Sequence, residues 1–325
     1  MQEKTLQTAY LRARRRKKID GIQNLLISIW PLVGFMLFGF IPMLLSLYMS
    51  FTELHSSMLS EAVFVGLDNF KRVLSWKGYV WYAYLNTLIY MITVPVTIAV
   101  SLYIANLVNN VQRGKRFFRS VLFIPYICSS VVVAFSFRML YSETGGILNS
   151  LLGSMGFEPV QWLTKSPVMF MLSVDIMSVW SGSGSCIVLL SAALSRVDES
   201  YYEAANIDGI TPTKAFWYIT LPAVTPTLSY LATMNVIGAL QVMDGPKILA
   251  GEVTYLIPWW KTPTGENICA SNHTVVFSIY NMCFTQQFDF GFGMGSASAW
   301  ILAIIILGIT QVNRKLQESW VCYDF

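Results

Sequence analysis

Charge is what this chain has least of. Asp, Glu, Lys and Arg make up 12% of its 325 residues, about half the share of an ordinary soluble domain. A soluble chain this poor in charge could not cover its surface with polar groups, which points away from a single water-exposed globule. Metal-ligand chemistry is equally thin. The only histidines are His55 and His273, far apart and not a helical pair, and Cys128, Cys186, Cys269, Cys283 and Cys322 show no metal spacing, so a zinc site is not expected. A Ser/His protease is not expected either, because neither histidine falls within an apolar run. The chain has no phosphate-binding glycine-rich loop: Gly114-Lys115 lacks the preceding glycine spacing and is followed by Arg116. It has no short-period repeat and no low-complexity tract. The first apolar run is too long for a cleavable signal core, and no small-residue cleavage site follows a short one, so it reads as a retained span.

What the chain does have is apolar length. Hydrophobic residues make up 54%, gathered into six runs near 25–50, 82–109, 117–141, 168–194, 222–243 and 291–312. Each approaches the ~20 residues that cross a bilayer. Backbone groups in lipid must bond within their own segment, so these are predicted helices of an all-α membrane protein. Pro31, Pro42, Pro95 and Pro125 fall inside them, and neighbouring helices can satisfy the carbonyls they free. The basic run Arg12, Arg14, Arg15, Arg16, Lys17 and Lys18 could bind nucleic acid. Beside an apolar run it is better read as a topology signal, and no nucleic-acid partner is expected. With the N-terminus inside, inner segments also hold Arg113, Lys115, Arg116, Arg119, Arg196, Lys214, Arg314 and Lys315. Outer loops hold Lys71, Arg72, Lys77, Lys165, Lys247 and Lys261. That asymmetry predicts both termini in the cytoplasm, and Trp81, Tyr82 and Tyr84 open the second span as an interfacial belt would. The expected layout is a basic tail (1–24), a first span with its outer loop (25–79), a core (80–313) holding a cytoplasmic loop at 195–222, and a C-terminal tail (314–325).

That loop carries the strongest local pattern. Asp198 and Glu199 precede the helix-favouring stretch Tyr201-Tyr202-Glu203-Ala204-Ala205. Asp208 follows it, and Gly209 can take a left-handed conformation that ends the helix. Thr211-Pro212 fits the start of a second helix, and Pro222 marks the beginning of the next span. Small Ala204 and Ala205 permit close approach by a partner, and Glu203 offers a charge. The plainer reading is a turn that merely joins two spans.

Glu203-Ala204-Ala205, three residues, Gly209, nine residues, Ile219, one residue, Leu221-Pro222 resembles the EAA loop of binding-protein-dependent ABC importer permeases at every defining position. The resemblance extends over nearly the whole chain after the basic tail and is to the carbohydrate-type branch. It includes Val65-Gly66-Leu67-Asp68-Asn69-Phe70, Asn86-Thr87-Leu88, Gly145-Gly146-Ile147-Leu148-Asn149, and Phe288-Asp289-Phe290-Gly291 followed by Ser296-Ala297. It implies a type I ABC importer fold and a coupling helix at Glu203, Ala204, Ala205, Asp208 and Gly209 that seats in an ATPase groove. The implied partners are two separate ATPase subunits holding ATP and Mg, a second homologous permease, an extracellular solute-binding protein and a sugar or oligosaccharide substrate. No cofactor is expected in this chain. From Gly245 onward the chain departs from the family pattern, which is usually shorter there.

Polar groups inside spans usually face the interior of a bundle. The fourth span carries Asp175, Ser178, Trp180, Ser181, Gly182, Ser183, Gly184 and Ser185; the fifth carries Asn235, Gly238 and Gln241. Hydroxyls, amides and an aromatic face suit a sugar, whereas small residues also serve close helix packing. Ser178, Gly182, Ser185, Asn235 and Gln241 are the substrate-pathway candidates. Arg138 and Asp175, near the outer ends of the third and fourth spans, are expected to pair. The long outer segment 244–290 holds Trp259 and Trp260 between prolines. It is either a contact for the binding protein or an interfacial anchor, and Cys269 and Cys283 lie within the same segment. The rival functions are a secondary transporter or channel not driven by ATP, an intramembrane enzyme, and a scaffold without transport.

Overall fold

The computed structural model describes residues 27–322 except 56–57, 76–78, 112, 252–255, 262–266, 270–272 and 285–290; the side chains of 75, 79–80, 167, 256–261 and 267–269 also lie outside the described set. The basic run Arg12–Lys18 therefore falls outside the described residues. Among the described residues, five helices are long and apolar enough to cross a membrane, and a sixth span is formed if a bent pair is counted as one. The helices in chain order are α1 (Ile27–Ser50), α2 (Asp68–Ser75), α3 (Tyr79–Tyr90), α4 (Thr93–Asn110), α5 (Lys115–Ile127), α6 (Ser130–Leu140) and α7 (Ile147–Ser154). They continue with α8 (Pro167–Leu194), α9 (Glu199–Ile207), α10 (Pro212–Leu240), α11 (Asp244–Ala250), α12 (Val275–Phe284) and α13 (Gly291–Gln317). Two short antiparallel pairs, β1 (Thr52–Glu53) with β2 (Val63–Phe64) and β3 (Leu256–Lys261) with β4 (Asn267–Cys269), complete the fold.

Four of the expected spans differ from straight rods, and proline explains much of the difference. The third span is not continuous: α5 and α6 meet at 92°. Pro125 lies in the last turn of α5, and Cys128 and Ser129 then take extended backbone before α6 begins. The second span is interrupted at Met91–Ile92. Pro95 has no N–H to give the Met91 carbonyl, which instead accepts from Val94 at 3.1 Å in a tighter turn. The fifth span begins ten residues earlier than the apolar run. Phe216–Thr220 forms a π-helical turn immediately before Leu221-Pro222, with the Leu221 N–H reaching the Phe216 carbonyl. Met36–Phe40 does the same before Pro42 in α1. In both places a wider turn absorbs the proline ring without ending the helix.

The core lies along α8, which packs against α4, α5, α6, α10 and α11. Phe170, Met171, Val174 and Met177 form one buried cluster with Tyr90, Val133, Ala134 and Leu249. Cys186, Ile187, Leu190 and Leu194 form a second with Ala105, Val224 and Leu231. Small residues let the helices close in. A Cβ on Gly184 would press on the Leu122 carbonyl, and one on Gly182 would meet Thr97 Cγ2 at 3.6 Å. At the far end from the 195–211 loop, Asn69 Nδ2 donates to the carbonyls of Ser50 (3.1 Å) and Thr52 (2.7 Å), and the Gly293 N–H donates to Leu54. A Cβ on Gly293 would run into the Thr52 carbonyl, so α13 starts against the segment that leaves α1. At the loop end, Gln317 and Asn313 of α13 donate to Thr233 of α10, Gln317 also to the Ser229 carbonyl. The Cys322 N–H donates to Thr225 Oγ1 at 2.9 Å. The C-terminal end of α13 therefore lies on the same side as the 195–211 loop.

The segment ahead of α12 is locked to α3. Asn86 Nδ2 donates to the His273 carbonyl (3.0 Å), Thr87 Oγ1 accepts the Val275 N–H (3.0 Å), and Thr274 Oγ1 donates to the Val242 carbonyl (2.7 Å). The His273 ring is buried, sits tilted against Phe277 with ring centres 4.3 Å apart, and lies 3.4 Å from Asn281 Nδ2. Burial pushes its pKa down to about 4, from about 6.5 for a free histidine. The unfolded chain thus binds this proton below about pH 6.5, while the folded chain resists it down to about 4. Stability is complete above the upper limit and falls as pH drops through the window, by up to about 3 kcal/mol. The purified protein should lose thermal midpoint between pH 7 and pH 4.5, and His273→Gln should flatten that dependence. An unchanged slope in the variant would remove His273 as its source.

Candidate functional site

Two places in the fold gather chemistry: the loop between α8 and α10, and a cavity where three helices break.

The loop is built by its caps. Asp198 Oδ1 accepts the Ser200 N–H at 2.9 Å and starts α9. The hydrogen bonds from Ser200 hold the exposed Asp198 carboxyl below the usual carboxylate range. The helix ends with two bonds that close a Schellman motif, Gly209 N–H to the Asn206 carbonyl (3.2 Å) and Ile210 N–H to the Ala205 carbonyl (2.9 Å). Gly209 sits at φ +71 with open space around it, so glycine is needed there for backbone conformation rather than for room. Asp208 is the cap residue just before it. Thr211-Pro212 then opens α10. Of the expected coupling residues, Ala205 is buried under the helix, whereas Glu203, Ala204, Asp208 and Gly209 face outward. Ile207 is 87% exposed at the tip, an apolar side chain offered to solvent.

The helix is not loose. Tyr202 OH and Thr220 Oγ1 are 2.8 Å apart, which ties α9 back to the π turn of α10. Arg119 Nη2 donates to the Ser191 carbonyl (3.2 Å) and Ser195 Oγ (3.1 Å), and Ser195 Oγ donates to Asn109 Oδ1 (3.3 Å). A cation at the carbonyl end of α8 also suits the helix dipole. The segment feeding the loop is thereby joined to α4 and α5.

The cavity, about 310 Å³, is lined by Tyr90, Ser130, Met177, Ser178, Ser181, Gln241 and Asp244 among others. Tyr90 is the last residue of α3, Ser130 the first of α6, and Gln241 follows the end of α10. Three interrupted helices therefore converge on one pocket of mixed polar and apolar lining. Irregular backbone at membrane depth is tolerated where it is buried in protein or lines such a cavity. Ser130 Oγ donates to Asp244 Oδ2 at 2.9 Å across it. Ser178 returns its hydroxyl to the Val174 carbonyl at 2.8 Å and keeps acceptor capacity.

Of the five pathway candidates, Ser178 and Gln241 line this cavity; Gly182, Ser185 and Asn235 do not. Gly182 packs on α4, Ser185 Oγ bonds the Gly182 carbonyl, and Asn235 Nδ2 donates to the Leu231 carbonyl (2.8 Å) and lies 3.6 Å from Cys186 Sγ. The Ser/Gly run thus serves the pocket at one end and close packing at the other. Tyr90, Ser130 and Asp244 were missed, because only the helix breaks bring them in. Two of those breaks carry a sequence signal, Pro95 and Pro125, but not its angle.

The expected Arg138–Asp175 pair does not form. Arg138 Nη1 donates to the Ile248 carbonyl at the end of α11 (3.4 Å), and its guanidinium lies against Gly251. A carbonyl-rich helix end and a glycine surface give the cation a nearer home than the carboxyl. Asp175 instead faces an apolar groove of about 760 Å³ between α4, α5 and α8, where its Oδ1 has no hydrogen-bond partner among the described residues. Trp259 and Trp260 lie on β3, and their side chains are outside the described residues, as is that of Cys269; Cys283 is a free thiol facing Gly295.

The comparisons with known proteins agree with this architecture. Residues 96–310 match the family model for the binding-protein-dependent transport system inner membrane component. The chain is 30% identical over 297 residues to the probable ABC transporter permease protein YesP of Bacillus subtilis, covering 90% of this chain and 89% of that one. It is 31% identical over 284 residues to the arabinooligosaccharides transport system permease protein AraP of Halalkalibacterium halodurans, covering 86% and 84%. Its fold superposes with a TM-score of 0.75 at 22% identity on a chain of a bacterial ABC transporter involved in the import of the acidic polysaccharide alginate, covering 94% and 99%.

The cavity makes a chemical prediction. In a background free of native cysteines, Ser178→Cys and Gln241→Cys should react with a membrane-impermeant thiol reagent at least tenfold faster than Ser185→Cys and Asn235→Cys. Labelling rates measured on membranes decide it. Equal rates across all four positions would mean that the pocket does not open to water.

Proposed function

The chain belongs to the family of binding-protein-dependent transport system inner membrane components, and on that premise we propose that it is one of two permease subunits of an ATP-driven importer for a sugar or oligosaccharide. The observation that carries the ATP-driven part is the loop. α9 is a short, rigidly capped helix held out from the span ends, with Ile207 and Glu203 exposed on it. The sequence has no nucleotide-binding motif of its own. A separate pair of ATPase subunits, holding ATP and Mg, would seat this helix in a groove. Closure of that pair would then pass through the Tyr202–Thr220 contact into α10, which runs to the rim of the cavity.

Orientation follows from charge. Arg113, Lys115, Arg116, Arg119, Arg196, Lys214, Arg314 and Lys315 all lie at the helix ends on the loop side. The positive-inside rule supports placing that side, and both termini, in the cytoplasm of a bacterial cell. The cavity then lies on the path between an extracellular solute-binding protein and the cell interior. Its hydroxyls, amide and aromatic ring suit a saccharide's mix of polar edges and apolar faces, and the arabinooligosaccharide permease relative supports the same solute class.

Gly209→Val tests the coupling role. At φ +71 a branched side chain strains the backbone by about 1–2 kcal/mol. The variant should insert normally but copurify with several-fold less ATPase and lose import. Normal import and hydrolysis in that variant would overturn the coupling assignment, and import that persists without ATP would favour a secondary transporter instead.

The hairpin β3–β4 follows α11 on the side away from the loop. We assign Trp259 and Trp260 of β3 to contact with the loaded binding protein. Paired rigid aromatics bury large area at little entropic cost. Changing both to alanine should lower the stimulation of ATP hydrolysis by loaded binding protein at least fivefold, with basal hydrolysis intact. Unchanged stimulation would leave them as interfacial anchors.

A further inference from the structure

The charges around the cavity are one-sided. Among its described lining residues Asp244 is the one carboxylic acid and there is no Lys, Arg or His; its carboxylate accepts the Ser130 hydroxyl at 2.9 Å and otherwise stands exposed at the rim. Two described cations of the same region make contacts elsewhere. Lys247 Nζ lies 3.5 Å over the centre of the Tyr280 ring, and Arg138 donates to the Ile248 carbonyl and rests on Gly251. Neither lines the pocket. A second carboxyl, Asp175, lies one turn along α8 from Ser178 but faces the neighbouring apolar groove rather than this cavity. α11, which presents Asp244, is not free to swing this charge away. Gly245 packs against the end of the Met177 side chain, and Gly245, Pro246, Leu249 and Ala250 are buried.

We propose that Asp244 makes this passage selective against acidic saccharides: it accepts hydrogen bonds from the hydroxyls of an uncharged sugar and repels a uronate carboxylate. The proposal deepens the saccharide reading above and rests on it. The physical asymmetry is simple. A neutral sugar offers the fixed carboxylate a charge-assisted O–H···O⁻ bond. A uronate brings a second negative charge up to this carboxylate, and among the described residues no cation lines the pocket to offset it. The same fold in the alginate transporter serves an acidic polysaccharide, so the fold does not set the charge of the solute; the residues at this rim would.

The test uses the assembled transporter in lipid nanodiscs without its binding protein, which removes that protein's own selectivity. Saturation-transfer NMR measures binding of the methyl glycosides of glucose and galactose, of the corresponding methyl uronides, and of the uncharged methyl uronamides, which match the uronides in shape. The neutral glycosides and uronamides should bind at least tenfold more tightly than the uronides. Asp244→Asn should bring the uronides to within about twofold of the uronamides, while Asp244→Glu should keep the discrimination. Equal binding of uronides and uronamides by the unaltered protein would overturn the proposal, as would discrimination that survives in Asp244→Asn. If none of the neutral probes binds, the saccharide reading itself fails, and the charge rule fails with it.

Discussion

A peptide group inside a membrane has no water to turn to, and that constraint governs this structure. Every carbonyl freed by a proline or by a helix end must find another donor or open onto a cavity. The chain uses both solutions. Before Pro42 and Pro222 it widens one turn and continues. At Met91–Ile92, Cys128–Ser129 and Gln241–Met243 it stops, and the three stops meet around one pocket of mixed lining. The pocket is therefore a consequence of where helices cannot continue as much as of which side chains are polar.

The motifs beyond the coupling loop turn out to be clamps. Asn69 holds the segment leaving α1, Asn86 and Thr87 hold the start of α12, and Gly291 at φ +66 lets α13 begin against Leu54. Asn149 donates to the carbonyls of Ser142 and Val160 and accepts from Val160 N–H and Trp162 Nε1, which closes the loop ahead of α8. Each is a side-chain amide or a glycine satisfying backbone that leaves regular structure. Such positions are hard to replace, because the amide must donate and accept at fixed points while staying buried. That explains how motif residues scattered along the chain can mark a family without touching a substrate.

Much of this was legible from residue order. The long apolar runs gave the spans because length and apolarity are properties of contiguous sequence, and Gly209 was readable because a helix stop followed by Thr211-Pro212 is a local signal. The bend of 92° between α5 and α6 was not readable. Pro125 announces a weak point, but the direction of the turn depends on α8 and α11 packing against it. For the same reason Ser130 and Asp244, 114 residues apart, could not be joined in advance. Arg138 and Asp175 failed for the opposite cause. Opposite charge was visible, while the competing Ile248 carbonyl and the bare face of Gly251 were not.

The unbroken run of α10 from Pro212 to Leu240 has a mechanical meaning. It is a lever about 40 Å long at 1.5 Å per residue, with the π turn at Phe216–Thr220 as a compliant joint near the end that α9 grips. Leverage magnifies a small tilt there. A rotation of about 5° at the joint would carry the far end by about 3 Å, given that helical rise. That displacement equals the length of a hydrogen bond, enough to make or break contact at Gln241 without any helix unfolding.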